Sequence, residues 1–278
     1  MLPIAEATPP TPDGPAPDFR VREYARTAVG SHRGMIDRTA FERTPLEAPA
    51  RQALSYLRRI EHATMTHLRN VLVTPAHKDA RVTAFLTTWA YEKYWIADAL
   101  RYVLEPGQPV VELPRSRGER MARPFRGLAD RFAPVTESIV ANAVGSPIVA
   151  AYVTIGAVDT WLTDAAYARI AERASHEELA QVLDRIRSIK ERHQTFFVPQ
   201  AEFRLAESAS SRRVTRRRVA RTDWPLRSDE RPRAETSAFF RYAFDEHTDV
   251  LDHADARIAA LPGLRRLTPL RARYEALR

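Results

Sequence analysis

The chain has no cysteine. That excludes disulfides, thiolate metal sites and a cysteine nucleophile, and it makes an intracellular, cytoplasmic protein the simple expectation. The opening MLPIAEATPPTPDGPAPDF has neither a basic start nor an apolar stretch, so it does not read as a signal peptide. Its prolines make residues 1–20 a disordered tail. A clean membrane span is missing too: SIVANAVGSPIVAAYVTIGAV (138–158) carries no charge, but Asn142, Gly145, Ser146 and Pro147 interrupt it. A buried helix with Ser146 as N-cap and Pro147 at its first position accounts for it better, and no membrane association is expected. No strand pattern and no internal repeat beyond helical hairpins is present. Acidic charge is in short supply, with 43 Lys and Arg against 35 Asp and Glu and a net charge of +8. Arginine supplies nearly all of the positive charge, which fits a GC-rich coding sequence as readily as an anionic partner.

What the chain does have is helical periodicity. From about residue 47, LEAPARQALSYLRRIEHATMTHLRNVLV places Leu54, Leu57, Met65 and Leu68 on one stripe, with Glu61 completing it. TPAH (74–77) is a short turn, and a second helix follows over about 79–104, so the two must run antiparallel. A long Pro- and Arg-rich connection, with a short helix of its own, leads to helix three (about 147–174). After the break ASHEE comes helix four (about 177–208). Two hairpins joined by one long crossover give an all-α chain with the connectivity of a ferritin-like four-helix bundle over residues 21–208.

Beyond the bundle, residues 209–235 read as a basic linker, with Arg212, Arg213, Arg216, Arg217, Arg218 and Arg221 packed together. Such a run could hold phosphates, but no aromatics interleave with it. A solvated face is the simpler account, and nucleic acid is not an expected partner. Residues 236–278 read as a C-terminal helix packing on the bundle, closed by the Pro262-Gly263 turn. Its apolar stripe would either cover the bundle or join two copies as a homodimer.

The seams carry an anomaly. In TTWAYEKYWIADAL (87–100) the apolar stripe runs Phe85, Trp89, Lys93, Ile96, Leu100, with a lysine at its centre. Helix four repeats it in Leu179, Leu183, Ile186, Lys190, His193, Phe197, and helix three offers Val153, Ala157, Thr160, Asp164, Tyr167. The polar set at mid-bundle height is therefore Glu61, Lys93, Thr160, Lys190 and His193. A carboxylate-bridged dimetal site in such a bundle needs a Glu from each of two helices and Glu-x-x-His from the other two, because that spacing aims both side chains at one metal pair. Only Glu61 and His193 fill such slots.

EKYWIADAL, KERHQTFF and GAVDTWLTDAAY, taken in order over about three quarters of the chain, resemble the actinobacterial ferritin-like proteins related to diiron oxygenases and acyl-carrier-protein desaturases. The resemblance implies a helical bundle and, in that family, a diiron centre used with oxygen. Here Lys93, Thr160 and Lys190 sit where the family has carboxylates, and Ile96 where it has a histidine. One Glu, one His and two ammonium groups cannot balance two divalent cations. A diiron site survives only if the register is shifted, so neither a metal nor another cofactor is expected.

An interior ammonium either finds a carboxylate or gives up its proton. Pairing of Lys93 or Lys190 with Glu61 would leave a non-catalytic relative that binds a ligand or partner. A neutral lysine would be a general base or Schiff-base former, working with His193 as acid/base and Glu61 as orienter. The expected enzyme is then a metal-independent cyclase, isomerase, lyase or condensing catalyst acting on a small, largely apolar carbonyl compound, in specialised-metabolite biosynthesis by analogy with the family. Trp89, Ile96, Thr160, Trp161, Asp164, Tyr167 and Phe197 would line its pocket, with Phe196 beside them. Asp159 is expected to face outward, Glu92 and Glu191 away from the seam, and His62 and His67 toward solvent. His247 and His253 lie in a surface charge pattern.

Overall fold

A computed structural model describes residues 19–106, 145 and 147–278. The disordered-tail expectation, Ser146 and nearly all of the long crossover fall outside these residues. Within them the chain is helical, with no strand.

Two short N-terminal helices, α1 (Val21–Arg26) and α2 (Arg38–Arg43), precede the first long element. That element was expected to be one helix, but it breaks at Ala63 into α3 (Ala48–His62) and α4 (Thr64–Leu72). The break turns the stripe: Leu54, Leu57, Glu61, Thr64 and Leu68 are buried, while Met65 is 54% exposed. A single turn, Pro75–Lys78, leads into α5 (Ala80–Leu104), whose N-cap Asp79 accepts the Val82 amide at 3.0 Å.

After the undescribed stretch come α6 (Pro147–Ala174) and α7 (Glu177–Glu207). Ser175 in the left-handed region (φ 47°) and His176 join them, a link so short that the pair can only be an antiparallel hairpin. The His176 ring accepts the Leu179 amide as an N-cap and reaches the Thr44 carbonyl with its other nitrogen. Four helices close a ring: α3 packs on α5, α5 on α7, α7 on α6 and α6 on α3. Every residue from Ile148 to Thr163 is buried, so α6 is the apolar spine of the molecule. One close approach requires its glycine: a Cβ at Gly156 would sit 2.4 Å from a ring carbon of Phe197 on α7.

The stretch expected to be a basic linker contains a helix, α8 (Ala209–Arg221), capped by Ser208 and packed on α6 through Ser211, Thr215 and Val219. Arginines hid this helix because its buried positions are small and few. The single expected C-terminal helix is three: α9 (Arg233–Phe244), α10 (Asp249–Ala260) and α11 (Pro269–Leu277). α9 and α10 both pack on α6, and α9 also on α3, so this region covers the bundle. No described helix is long and apolar enough to cross a membrane.

Candidate functional site

The chain has three lysines, at 78, 93 and 190. Lys78 is exposed, whereas Lys93 and Lys190 are 2% and 1% exposed and come from facing helices, α5 and α7. They meet at Glu61, the penultimate residue of α3. Lys190 Nζ donates to Glu61 Oε1 at 2.5 Å, and Lys93 Nζ lies 3.0 Å from Oε2. The Tyr167 hydroxyl on α6 adds a third donor to Oε1 at 3.0 Å. All four helices of the ring thus contribute to one fully buried cluster.

Asp159, expected to face outward, is 1% exposed and belongs to this cluster. Its Oδ2 accepts from Lys93 Nζ at 3.3 Å, while Oδ1 accepts the Leu226 amide at 2.9 Å. Two ammonium groups therefore face two carboxylates. Of the expected seam on α6, Tyr167 reaches the cluster, but the Thr160 hydroxyl is spent on its own backbone, the Gly156 carbonyl, at 2.7 Å. Asp164 does not meet a lysine; it pairs with Arg187 at 3.1 Å and is partly exposed. Because α6 is apolar nearly all round, its sequence gave no direction from which to choose between Asp159 and Asp164.

The two lysines are not equivalent. Burial alone would depress both, but Lys93 holds two carboxylates, and their attraction raises its pKa above the ordinary lysine value. For Lys190 burial wins: its only carboxylate is Glu61, shared with Lys93, and the Lys93 ammonium repels its charge, so its pKa is lowered. Burial works against the Glu61 carboxylate, yet the two ammonium groups overcome it and hold its pKa down at about 2. Burial and Glu61 together push the Tyr167 hydroxyl well up, so it remains a donor.

A second buried cluster adjoins the first. Glu92, one residue before Lys93, does point away from the lysines, but into the protein, where it is fully buried. Its Oε2 accepts from the Tyr24 hydroxyl at 2.8 Å and lies 3.0 Å from His193 Nε2; its Oε1 accepts the Val29 amide at 2.9 Å and Arg192 Nη2 at 3.1 Å. Those donors hold the carboxyl below its usual range against the opposing effect of burial. An ionised carboxylate can only accept, so His193 carries its proton on Nε2. Nδ1 is left as a buried lone pair with no partner among the described residues. Burial, helped by the ammonium groups of Lys190 and Lys93, holds the imidazole pKa at about 4 despite Glu92. His193 is therefore neutral at pH 7. Tyr24 and Val29 belong to the N-terminal segment that straps across α5, a long-range contact that helical spacing could not announce.

The expected pocket residues divide. Trp89 lies under Lys93, with Nζ 4.9 Å from the ring centre, and Phe197 meets the Trp89 ring edge-on at 5.6 Å. Ile96 is fully buried. Trp161 does not belong: its indole N–H goes to Gln194 and Arg257 covers its face, on the side of α6 toward α10. Phe196 instead stacks on Phe85, with 3.8 Å between ring centres. His67, expected in solvent, is half-buried beside Trp89 and Tyr152, and burial lowers its pKa to about 3. His62 and Glu191 are exposed, as expected.

The donor set does not fit a pair of iron ions. Both Glu61 oxygens face ammonium groups, Asp159 is held by Lys93, and the His193 imidazole is tied to Glu92. Among the described residues no three His, Asp or Glu side chains converge closely enough to hold an ion. No protein family, no curated protein and no solved structure matches this chain.

Proposed function

We propose that this chain is a metal-independent enzyme on a ferritin-like scaffold, with Lys190 as the reactive amine and His193 as its acid/base partner. The observation that carries it is the unequal sharing of Glu61: Lys93 is locked by two carboxylates, while burial and the Lys93 charge lower the pKa of Lys190. A lowered amine beside a neutral imidazole with a free lone pair is a pairing suited to proton transfer or Schiff-base chemistry. In the latter, unprotonated Lys190 Nζ adds to a carbonyl carbon, and water leaves as the C=N bond forms. Lys93 then supplies fixed positive charge, Glu61 orients both amines, and Trp89 and Phe197 present apolar faces to the organic part of the substrate. The substrate class is a small, largely apolar carbonyl compound, and the reaction a cyclisation, isomerisation, condensation or elimination in a biosynthetic pathway. Buried ions cost several kcal/mol each in desolvation, so a core holding this many polar groups gives up stability that apolar side chains would supply.

A second reading is favoured by one observation. With both lysines charged, two ammonium groups balance two carboxylates, and such a neutral cluster needs no chemistry to explain it. In that case the protein is a non-catalytic relative that binds a ligand or partner. Borohydride reduction in the presence of small aldehydes and ketones, followed by peptide mass spectrometry, separates the two. A reduced adduct on Lys190 supports the enzyme; adducts confined to Lys78 and the amino terminus support the non-catalytic protein.

A further inference from the structure

On the outer side of the α3–α5 pair, Arg58, His62, Tyr94, Ala97, Asp98 and Arg101 line a cleft of about 260 Å³. The helices that carry Glu61 and Lys93 inward thus present a second, separate set of groups outward. Arg58 is half-buried there, and among the described residues no carboxylate pairs with it and no group accepts from it. Its neighbours make this unusual. Burial and then the guanidinium groups of Arg59, Arg101 and Arg231 all disfavour its charge, whereas Arg59 has Glu235 at 2.7 Å.

Among the described residues that line the cleft the only acid, Asp98, is already committed. Asp98 takes two hydrogen bonds from Arg33, both at 2.8 Å, and one from Arg101 at 2.8 Å. Glu105 lies closer to Arg38, at 3.2 Å, than to Arg101, at 4.0 Å, and those two charges cancel. Arg58 and Arg101 thus line the cleft opposite one carboxylate, Asp98, which Arg33 also engages from outside it, so positive charge is in excess there among the described residues. Such an excess favours an anion, and a guanidinium fork matches phosphoryl oxygens two at a time. The Tyr94 ring, 48% exposed at the rim, offers an aromatic face. The volume is below that of clefts that swallow drug-sized ligands.

We propose that this cleft binds a small phosphate monoester, with the phosphoryl group on Arg58 and Arg101 and the organic group against Tyr94. The site is independent of the chemistry assigned to Lys190. The full-length protein is titrated calorimetrically, at low salt, with phenyl phosphate, inorganic phosphate and benzoate. Phenyl phosphate binds more tightly than either of the other two, and Arg58→Gln weakens it roughly tenfold, the loss of one charge-assisted contact. Arg58→Lys, which keeps the charge and loses the fork, falls between them. Tyr94→Ala removes the preference for phenyl phosphate over inorganic phosphate. Arg213→Gln, on the exposed face of α8, leaves binding unchanged. Equal weakening by Arg213→Gln, full affinity in Arg58→Gln, a preference for benzoate, or no binding at millimolar ligand would each overturn the assignment. Melting curves of each variant confirm that the protein titrated is folded.

Discussion

Lys190 and Glu61 meet at 2.5 Å in the centre of the helical ring, and Lys93 takes the other oxygen of the same carboxylate at 3.0 Å. One carboxylate thus anchors two cations, and its removal should be costly. Glu61→Gln leaves Lys190 without a paired carboxylate and Lys93 with Asp159 alone, and we expect a loss of about 3–5 kcal/mol, the usual cost of stripping a buried charge of its partner. Replacing Glu61, Lys93 and Lys190 with Met and Asp159 with Asn, so that no buried charge is left without its partner and the Leu226 amide keeps an acceptor, should instead be neutral or stabilising. Chemical denaturation of the two variants checks this; equal losses in both would show that the ion pairs, rather than the unpaired charge, set the stability.

The same carboxylate predicts an acid-dependent loss of stability. Its folded pKa of about 2 lies below the ordinary 4.5, so its contribution is complete above about pH 4.5 and disappears as pH falls toward 2. The linkage is on the order of 3 kcal/mol. His193 acts in an earlier window: its folded pKa, about 4, is below the ordinary 6.5, so the unfolded chain takes up the proton first and stability declines as pH falls from 6.5 to 4. Denaturation midpoints measured across both windows should show the slope between pH 6.5 and 4 flattened in His193→Gln and that between pH 4.5 and 2 flattened in Glu61→Gln. A wild-type slope retained in both variants would refute the assignment.

Gly156→Ala tests the close approach of α6 and α7. Alanine is the better helix former by about 1 kcal/mol, but its methyl would lie 2.4–2.8 Å from the Phe197 ring, which Trp89 and Phe85 hold in place. Overpacking costs about 1–3 kcal/mol, so we expect a net lower melting temperature, recovered in the double variant Gly156→Ala/Phe197→Leu. A single variant that melts higher than wild type would mean that the ring moves freely.

The N-terminal strap should depend on Tyr24. Tyr24→Phe removes one of the four donors to Glu92, and a lost hydrogen bond to a charged group costs about 1.5–3 kcal/mol. Hydrogen exchange should then quicken at the Val29 amide, which donates to the same carboxylate. Unchanged exchange there would show that the strap is held by apolar contacts alone, chiefly Phe19 packed against Tyr24, Phe85 and Phe196.

The long helices were legible from the sequence because α3, α5 and α7 have one apolar stripe each, and Lys93, Lys190 and His193 stood out as interruptions of it. α6 was legible as a buried helix for the opposite reason, its lack of any polar face, and that same lack concealed which of its polar residues points at the lysines. Asp159 was placed outside and Asp164 inside, and the structure reverses them. Glu92 and Tyr24 were missed because their partnership links α5 to a segment more than sixty residues away, and no periodicity records such a contact. The break at Ala63 was invisible because Ala-Thr is tolerated within a helix; only packing decides it.

The decisive comparison is between the two interior amines. With three lysines in the chain, an NMR titration of protein labelled with ¹³C at the lysine ε-carbon gives three resonances, and Lys→Arg variants assign them. Lys190 should lose its proton at a pH below 10.5 while Lys93 keeps its own above that value. Titration of Lys190 together with or above Lys93 would contradict it and leave the cluster a structural ion network.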